Sequence, residues 1–137
     1  MKKLLLSLLL SQIALFAFQP SADYTNYLNE LKVQAKAEDK QFKDFDAKKG
    51  KEIFFTKKTV NGEQISCATC HTQILTNNGK NIKTNKVIEP LAPSVNHQRL
   101  TSKKEMQKWL RRNFNDVYQR EGTAKEKGDV LTFISNN

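Results

Sequence analysis

The sequence predicts an all-α protein of about four short helices and one long loop. Three observations lead there. Apolar residues recur at helical spacing in four separate stretches, capping residues stand ahead of three of them, and no stretch alternates apolar and polar residues as a half-buried strand would. No internal repeat is present either.

At the N-terminus, Lys2 and Lys3 precede the apolar run "LLLSLLLSQIALFAF" over residues 4–18, the pattern of an export signal. The run is interrupted by Ser7, Ser11 and Gln12 and falls short of the about 20 apolar residues that a membrane-spanning helix needs. Cleavage is therefore expected, with an uncleaved anchor the weaker alternative. The small-residue site is indistinct, Ala17 and Ala22 both fitting, so the mature chain starts between residues 18 and 23. We take residues 1–22 as the cleaved signal and 23–137 as one domain, with no membrane span once the signal is gone.

The first helix runs from Tyr24 to about Glu38, with Tyr24, Tyr27, Leu28, Leu31 and Ala35 on one stripe. Asp46 caps a short second helix through "AKKGKEIFF", whose apolar end Ile53, Phe54 and Phe55 faces the core; Gly50 weakens this helix and permits close packing. Asn61 and Gly62 mark a turn. The stretch "NNGKNIKTNKVIEPLAPSVNHQR", with Gly79, Pro90 and Pro93, reads as a long loop without secondary structure of its own, and loops of that length usually wrap a site or ligand. Ser102 with Glu105 matches a capping box for a third helix, "EMQKWLRRNFNDVYQRE", which places Met106, Trp109, Leu110, Asn113, Phe114 and Val117 on one buried face. After Gly122, Thr123 with Glu126 caps a last helix that buries Val130, Leu131, Phe133 and Ile134.

A mature chain of this length buries only a modest core unless another group fills it. "CATCH", residues 67–71, supplies the candidate. Cys-X-X-Cys-His is the pattern that attaches haem covalently: each thiol adds to a vinyl group and the following imidazole reaches the iron. The two Cys stand three apart on one turn, so their sulfurs meet the porphyrin edge while His71 lies under its plane. Two other readings are weaker. A thioredoxin-type redox pair requires a βαβ context that is absent, and a zinc site built from Cys67, Cys70, His71 and distant His97 lacks the usual second pair of ligands. One haem c, attached through Cys67 and Cys70 outside the cytoplasm, is expected, and the periplasm is the expected location. The chain has no other Cys for a disulfide.

The sixth iron position separates an electron carrier from a gas binder, and Met106, His97 and Asn113 are the candidates. Met on an apolar stripe is usually core, and His97 sits among polar residues. Asn113 is an amide on an apolar face. It either bonds to nearby backbone, as most buried amides do, or faces the iron, where its oxygen is a hard, weak donor better matched to ferric than to ferrous iron. Residue types alone favour the backbone bond. The remaining charge concerns partners: the formal charge of +9 becomes +7 without Lys2 and Lys3. An exported chain without a basic and aromatic platform does not point to nucleic acid; an acidic protein surface or anionic membrane fits better.

From Tyr24 and Tyr27 through "GKEIFF", "SCATCH", "IEPLAPS", Arg99, "KWLRRNFNDV", Arg120 and "TAKEKGDVL", the chain resembles the sphaeroides haem protein family of monohaem c-type cytochromes. The haem motif is generic; "PLAPS" and the "RN" after "KWL" are more specific. The resemblance implies a cytochrome c fold and, in the oxidised state, iron held by His71 and Asn113. It implies that Asn113 leaves on reduction to admit O2, NO or CO, and that electrons come from a dihaem or other cytochrome c, for which the basic charge suggests an acidic docking surface. Electron transfer and diatomic-ligand binding are the expected roles, with turnover of O2 or NO left open. A plain electron-transfer cytochrome with Met106 or His97 as permanent sixth ligand is the alternative. The resemblance also implies a Cys straight after the Asn and another near the next helix, joined as a disulfide. Here those positions are Phe114 and Gly122.

Overall fold

The computed structural model describes residues 18–137. Most of the expected export signal, residues 1–17, lies outside the described residues. Five helices and two small β-ladders follow in order: α1 (Ala22–Glu38), α2 (Ala47–Phe55), β1 (Lys58–Val60), β2 (Glu63–Ile65), α3 (Cys67–His71), β3 (Gly79–Lys80), β4 (Val87–Ile88), α4 (Lys103–Tyr118) and α5 (Ala124–Ser135). The four expected helices are α1, α2, α4 and α5, and the haem motif folds as the single turn α3.

Each long helix starts on a residue whose side chain satisfies an orphan backbone N–H. The Ser21 hydroxyl accepts from Tyr24 N at 3.0 Å and donates to Leu100 O at 2.8 Å, tying the start of α1 to the segment before α4. Asp46 accepts from Lys48 N at 2.8 Å. Thr123 Oγ1 accepts from Glu126 N at 3.1 Å while Glu126 returns the bond to Thr123 N at 2.9 Å, a complete capping box. At α4 only half the expected box forms: Ser102 Oγ accepts from Glu105 N at 3.4 Å, and the Glu105 carboxylate turns to Trp109 Nε1 at 2.8 Å instead.

Helix α2 crosses α5 at Gly50, where an added Cβ would lie 2.0 Å from Asp129 O. The Asp129 side chain, 2% exposed, accepts from Asp46 N at 2.8 Å and pairs with Lys125, so the cap of α2 is bolted to α5 by a buried carboxylate. Periodicity does not reveal this. Around the crossing, Tyr24, Leu31, Phe54, Leu131 and Phe133 form one core with Met106, Leu110 and Phe114 of α4.

Two expectations are corrected. The segments read as turn and loop carry antiparallel ladders: β1 pairs β2 around Asn61 and Gly62, both at positive φ (51° and 83°) as a tight hairpin turn requires, and Gly79–Lys80 pairs Val87–Ile88. Strands of two or three residues are too short to leave an alternating pattern. Trp109, expected on the buried face, is 42% exposed. At about 100° per residue it lies roughly 95° from the mean direction of Met106, Leu110, Phe114 and Val117, at the flank of the stripe. There Lys108 Nζ and Arg112 Cζ each stand 5.0 Å from its ring, and Glu105 takes its N–H.

Glu126 also receives both Arg120 guanidinium nitrogens, at 2.6 and 2.7 Å. That bidentate pair is the chief reason its carboxyl titrates below the usual range. A depressed folded pKa means that the unfolded chain binds the proton first, so this stabilisation is present above the ordinary Glu range and is lost as pH falls through the folded value. Glu126→Gln is expected to cost about 1 kcal/mol at pH 7, with the gap from wild type closing in acid. Urea titrations of both proteins at pH 7 and pH 3 measure it; an equal gap at both values would refute the assignment.

Candidate haem-binding site

α3 is one turn held at both ends. Ser66 N donates to Thr69 Oγ1 at 2.9 Å, and Thr69 N donates to Ser66 O at 3.1 Å. The turn stops at Thr72, which adopts φ 65° and ψ 173°, a conformation that a β-branched residue rarely takes. Its hydroxyl donates to Ile74 O at 2.8 Å and accepts from Ile74 N at 3.2 Å, standing in for the helical bonds that the chain gives up. Thr72 thus turns the backbone away directly after His71.

The far side of the turn is backed by Gly79. A Cβ there would lie 2.1 Å from Cys70 O and 3.0 Å from His71 Cα, so only a glycine lets β3 rest on the motif. The proline-bounded segment closes the same side: Ala92 N donates to Leu75 O at 3.0 Å. Arg99 gives Nε to Pro90 O at 2.9 Å and Nη2 to Glu89 O at 2.8 Å, and Asn96 Nδ2 reaches Pro90 O at 3.1 Å. Prolines bring carbonyls without matching N–H groups, and Arg99 and Asn96 supply the donors. Arg99 stands out in sequence only as part of a family pattern, and Gly79 only as a loop residue; neither contact is visible in the sequence.

Cys67 and Cys70 are both free thiols and half-buried. Burial pushes the Cys67 thiol up to about 11, so it stays protonated at neutral pH. Burial first, and the nearby Arg99 charge second, hold His71 down at about 4, which keeps the imidazole neutral and able to ligate. Its Nδ1 is the one buried side-chain polar atom without a hydrogen-bond partner among the described residues. The ring centroid of Phe54 lies 6.2 Å from that of His71, and Cys67, Ala68 and Leu91 pack against the apolar core. Two free thiols on one turn, a neutral imidazole beside them and an apolar wall fit a covalently attached haem. They do not fit zinc: no group of three or more His, Cys, Asp or Glu capable of holding a metal ion gathers among the described residues.

The candidates for the sixth iron position fall in different environments. Met106 is 6% exposed and belongs to the hydrophobic core. His97 is exposed on the loop. Asn113 is half-buried on α4, on the same flank as Trp109 but closer to the buried stripe, roughly 55° from its mean direction. The simple expectation for such an amide is a backbone bond, and Asn115 makes one, Nδ2 to Arg111 O at 2.9 Å. The Asn113 amide makes none to protein among the described residues. Lys83 of the loop pairs with Asp116 of α4 at 2.8 Å, and the Tyr118 hydroxyl donates to Ile53 O at 2.6 Å, so α4 is fastened to the loop that leaves α3 and to α2.

Comparison with known proteins gives consistent matches. Residues 40–134 match a family model described as a domain of unknown function, DUF1924. Cytochrome c-type protein SHP of Cereibacter sphaeroides is 38% identical over 91 residues, covering 66% of this chain and 70% of the relative. Cytochrome c'' of Methylophilus methylotrophus is 37% identical over 84 residues, covering 60% of this chain and 58% of that protein, less than two thirds of its length. Among solved structures, oxidised SHP, described as an oxygen-binding cytochrome c, superposes with a TM-score of 0.71 at 30% identity, covering 85% of this chain and 97% of the other. The crystal structure of oxidised cytochrome c'' from Methylophilus methylotrophus gives 0.73 at 29% identity, covering 82% and 92%. The solution structure of that cytochrome, reported for its bearing on haem-ligand detachment, gives 0.73 at 28%, covering 84% and 94%. The fold is the cytochrome c fold.

Proposed function

The chain belongs to the sphaeroides haem protein family of c-type cytochromes, and from that membership we propose that it is an exported monohaem cytochrome in which Asn113 occupies the sixth iron position in the oxidised state and leaves it on reduction. When bound, haem would supply a redox-active iron able to take O2, NO or CO. The chain's own residues do the rest. Cys67 and Cys70 would tether the group as thioethers. His71, neutral because it is buried, offers an imidazole nitrogen, and the Thr72 turn and Gly79 hold its backbone in place.

The observation that carries the reading is the half-buried Asn113 amide without a hydrogen bond to protein. Held by no protein hydrogen bond, the amide is free to turn its oxygen toward an iron. Its carbonyl oxygen would suit ferric iron and suit ferrous iron less, so that reduction would weaken its hold. The names of the relatives support the same direction: SHP is described as oxygen-binding, and cytochrome c'' is discussed for haem-ligand detachment. Met106 is engaged in the core and His97 is exposed to solvent, which supports Asn113 over the plain electron carrier's Met106 or His97.

Asn113→Ala is expected to convert the ferric protein from low-spin to a high-spin or water-ligated spectrum, while reduced wild type binds CO readily. Reduced wild type that stays low-spin and ignores CO would sink the proposal. We place the protein in the periplasm, receiving electrons from a dihaem or other c-type cytochrome whose acidic surface meets its positive charge. A cut after Ala17 keeps Ser21, the cap of α1, in the mature chain, and so suits this fold better than a cut after Ala22. No helix among the described residues is long and apolar enough to cross a membrane.

A further inference from the structure

Directly after Asn113, the Phe114 side chain is 4% exposed and lies on buried Gly122. A Cβ added to Gly122 would meet ring atoms Cδ2 and Cε2 at 2.8 Å and Cδ1 at 2.9 Å. Three ring atoms at nearly one distance mean that the ring presents its face to the position a side chain at 122 would take. One turn further, the Tyr118 ring stands 5.5 Å from that of Phe114, and its hydroxyl is bonded to Ile53 O of α2 at 2.6 Å. Gln119, at φ 55°, then closes α4 with its N–H on Asn115 O at 3.1 Å, and Arg120 is tied to Glu126 of α5. The turn that bears Asn113 is therefore anchored by a ring on a glycine, by a hydroxyl on α2 and by a left-handed cap. Asn113 itself, half-buried at the flank of the helix, has no protein bond to break when it turns.

We propose that Phe114 and Gly122 form a ring-on-glycine clasp that fixes the Asn113 turn of α4, so that Asn113 departs from the iron by rotation of its own side chain while the helix stays in place. This rests on Asn113 being the sixth ligand. The two residues are positioning residues, since neither needs to touch iron. Gly122 admits no side chain without moving Phe114, and Phe114 shares a helical turn with Asn113, so a disturbance at 122 reaches the ligand within one residue.

The test uses the holoprotein, and Asn113→Ala comes first. If that change leaves the ferric spectrum as in wild type, Asn113 is not the ligand and both readings fall. If it turns the protein high-spin, three measurements address the clasp alone. Gly122→Ala is expected to raise the ferric high-spin fraction about fivefold or more, a coupling of the size found between touching residues. Adding Phe114→Leu, a smaller and more pliable side chain, is expected to bring that fraction back to within about twofold of wild type. In wild type, amide exchange of residues 114–118 is expected to match between the ferric and the CO-bound ferrous states within about twofold. A lowered melting temperature in Gly122→Ala with an unchanged ferric spectrum would make the contact structural only and overturn the proposal. So would loss of exchange protection over 114–118 on reduction, which would mean that the helix unwinds. Should Gly122→Ala fail to fold, Phe114→Leu alone tests the clasp: the ring is gone without a clash, and the high-spin fraction is expected to rise, an unchanged fraction in a folded protein overturning the proposal.

Discussion

Replacing Cys67 and Cys70 together by alanine is expected to yield a chain that carries no haem through a denaturing gel and melts roughly 10 °C or more below wild type. The first outcome follows from connectivity, because these are the chain's only thiols. The second follows from packing. Cys67, Ala68 and Leu91 lie at the edge of a core that also includes Phe54, Leu75 and Leu110, and a ligand that binds only the folded state stabilises it by mass action, about 4 kcal/mol at a thousandfold excess over its dissociation constant. In a domain of this size each 1 kcal/mol moves the midpoint by roughly 4 °C. Attached haem also remains bound at any dilution, whereas untethered haem leaves as its concentration falls. Haem-dependent peroxidase staining of the gel and thermal melts followed by circular dichroism measure both effects. A stained band surviving in the double variant would refute covalent attachment at these positions.

How much of this could be read from the chain follows the range of the forces involved. The stripes Tyr24, Tyr27, Leu31, Ala35 and Val130, Leu131, Phe133, Ile134 lie within single helices, and the caps Asp46, Ser102 and Thr123 act within one turn, so sequence shows them directly. The haem motif is local in the same sense. Asn113 was legible as an amide on an apolar helix, but whether it bonds to backbone is a matter of side-chain rotation that spacing does not specify. Trp109 was misplaced because a stripe has flanks, and an indole with Lys108 and Arg112 on its faces is stable at one of them. What escaped entirely depends on contacts distant in sequence: Asp129 capping the α2 entry from α5, and Arg99 holding the carbonyls of Glu89 and Pro90. The exchange of an expected disulfide pair for Phe114 and Gly122 was visible as a loss. Only the structure shows those two residues in contact, with the ring occupying the space beside the glycine.

At Gly79 a single added methyl group is expected to strike the haem motif itself. Gly79→Ala places a carbon 2.1 Å from Cys70 O, 3.1 Å from Cys70 C and 3.0 Å from His71 Cα. All three are backbone atoms, so no side chain can swing aside. Moving β3 instead would break its pairing with Ile88, and moving α3 would shift the imidazole and both sulfurs from the positions that one rigid porphyrin must satisfy together. Either response is expected to cost about 3 kcal/mol, at the upper end of overpacking, and to lower the yield of haem-loaded protein several-fold. Gly62→Ala is the control. Gly62 sits at φ 83° with nothing within 4 Å of an added Cβ, so it meets backbone strain without a clash, costs about 1 kcal/mol and leaves the ferric spectrum alone. The two variants separate backbone preference from close approach. Gly79→Ala protein that loads haem normally and melts within about 2 °C of wild type would show that α3 tolerates displacement, and that the support of His71 comes from the Thr72 turn rather than from β3.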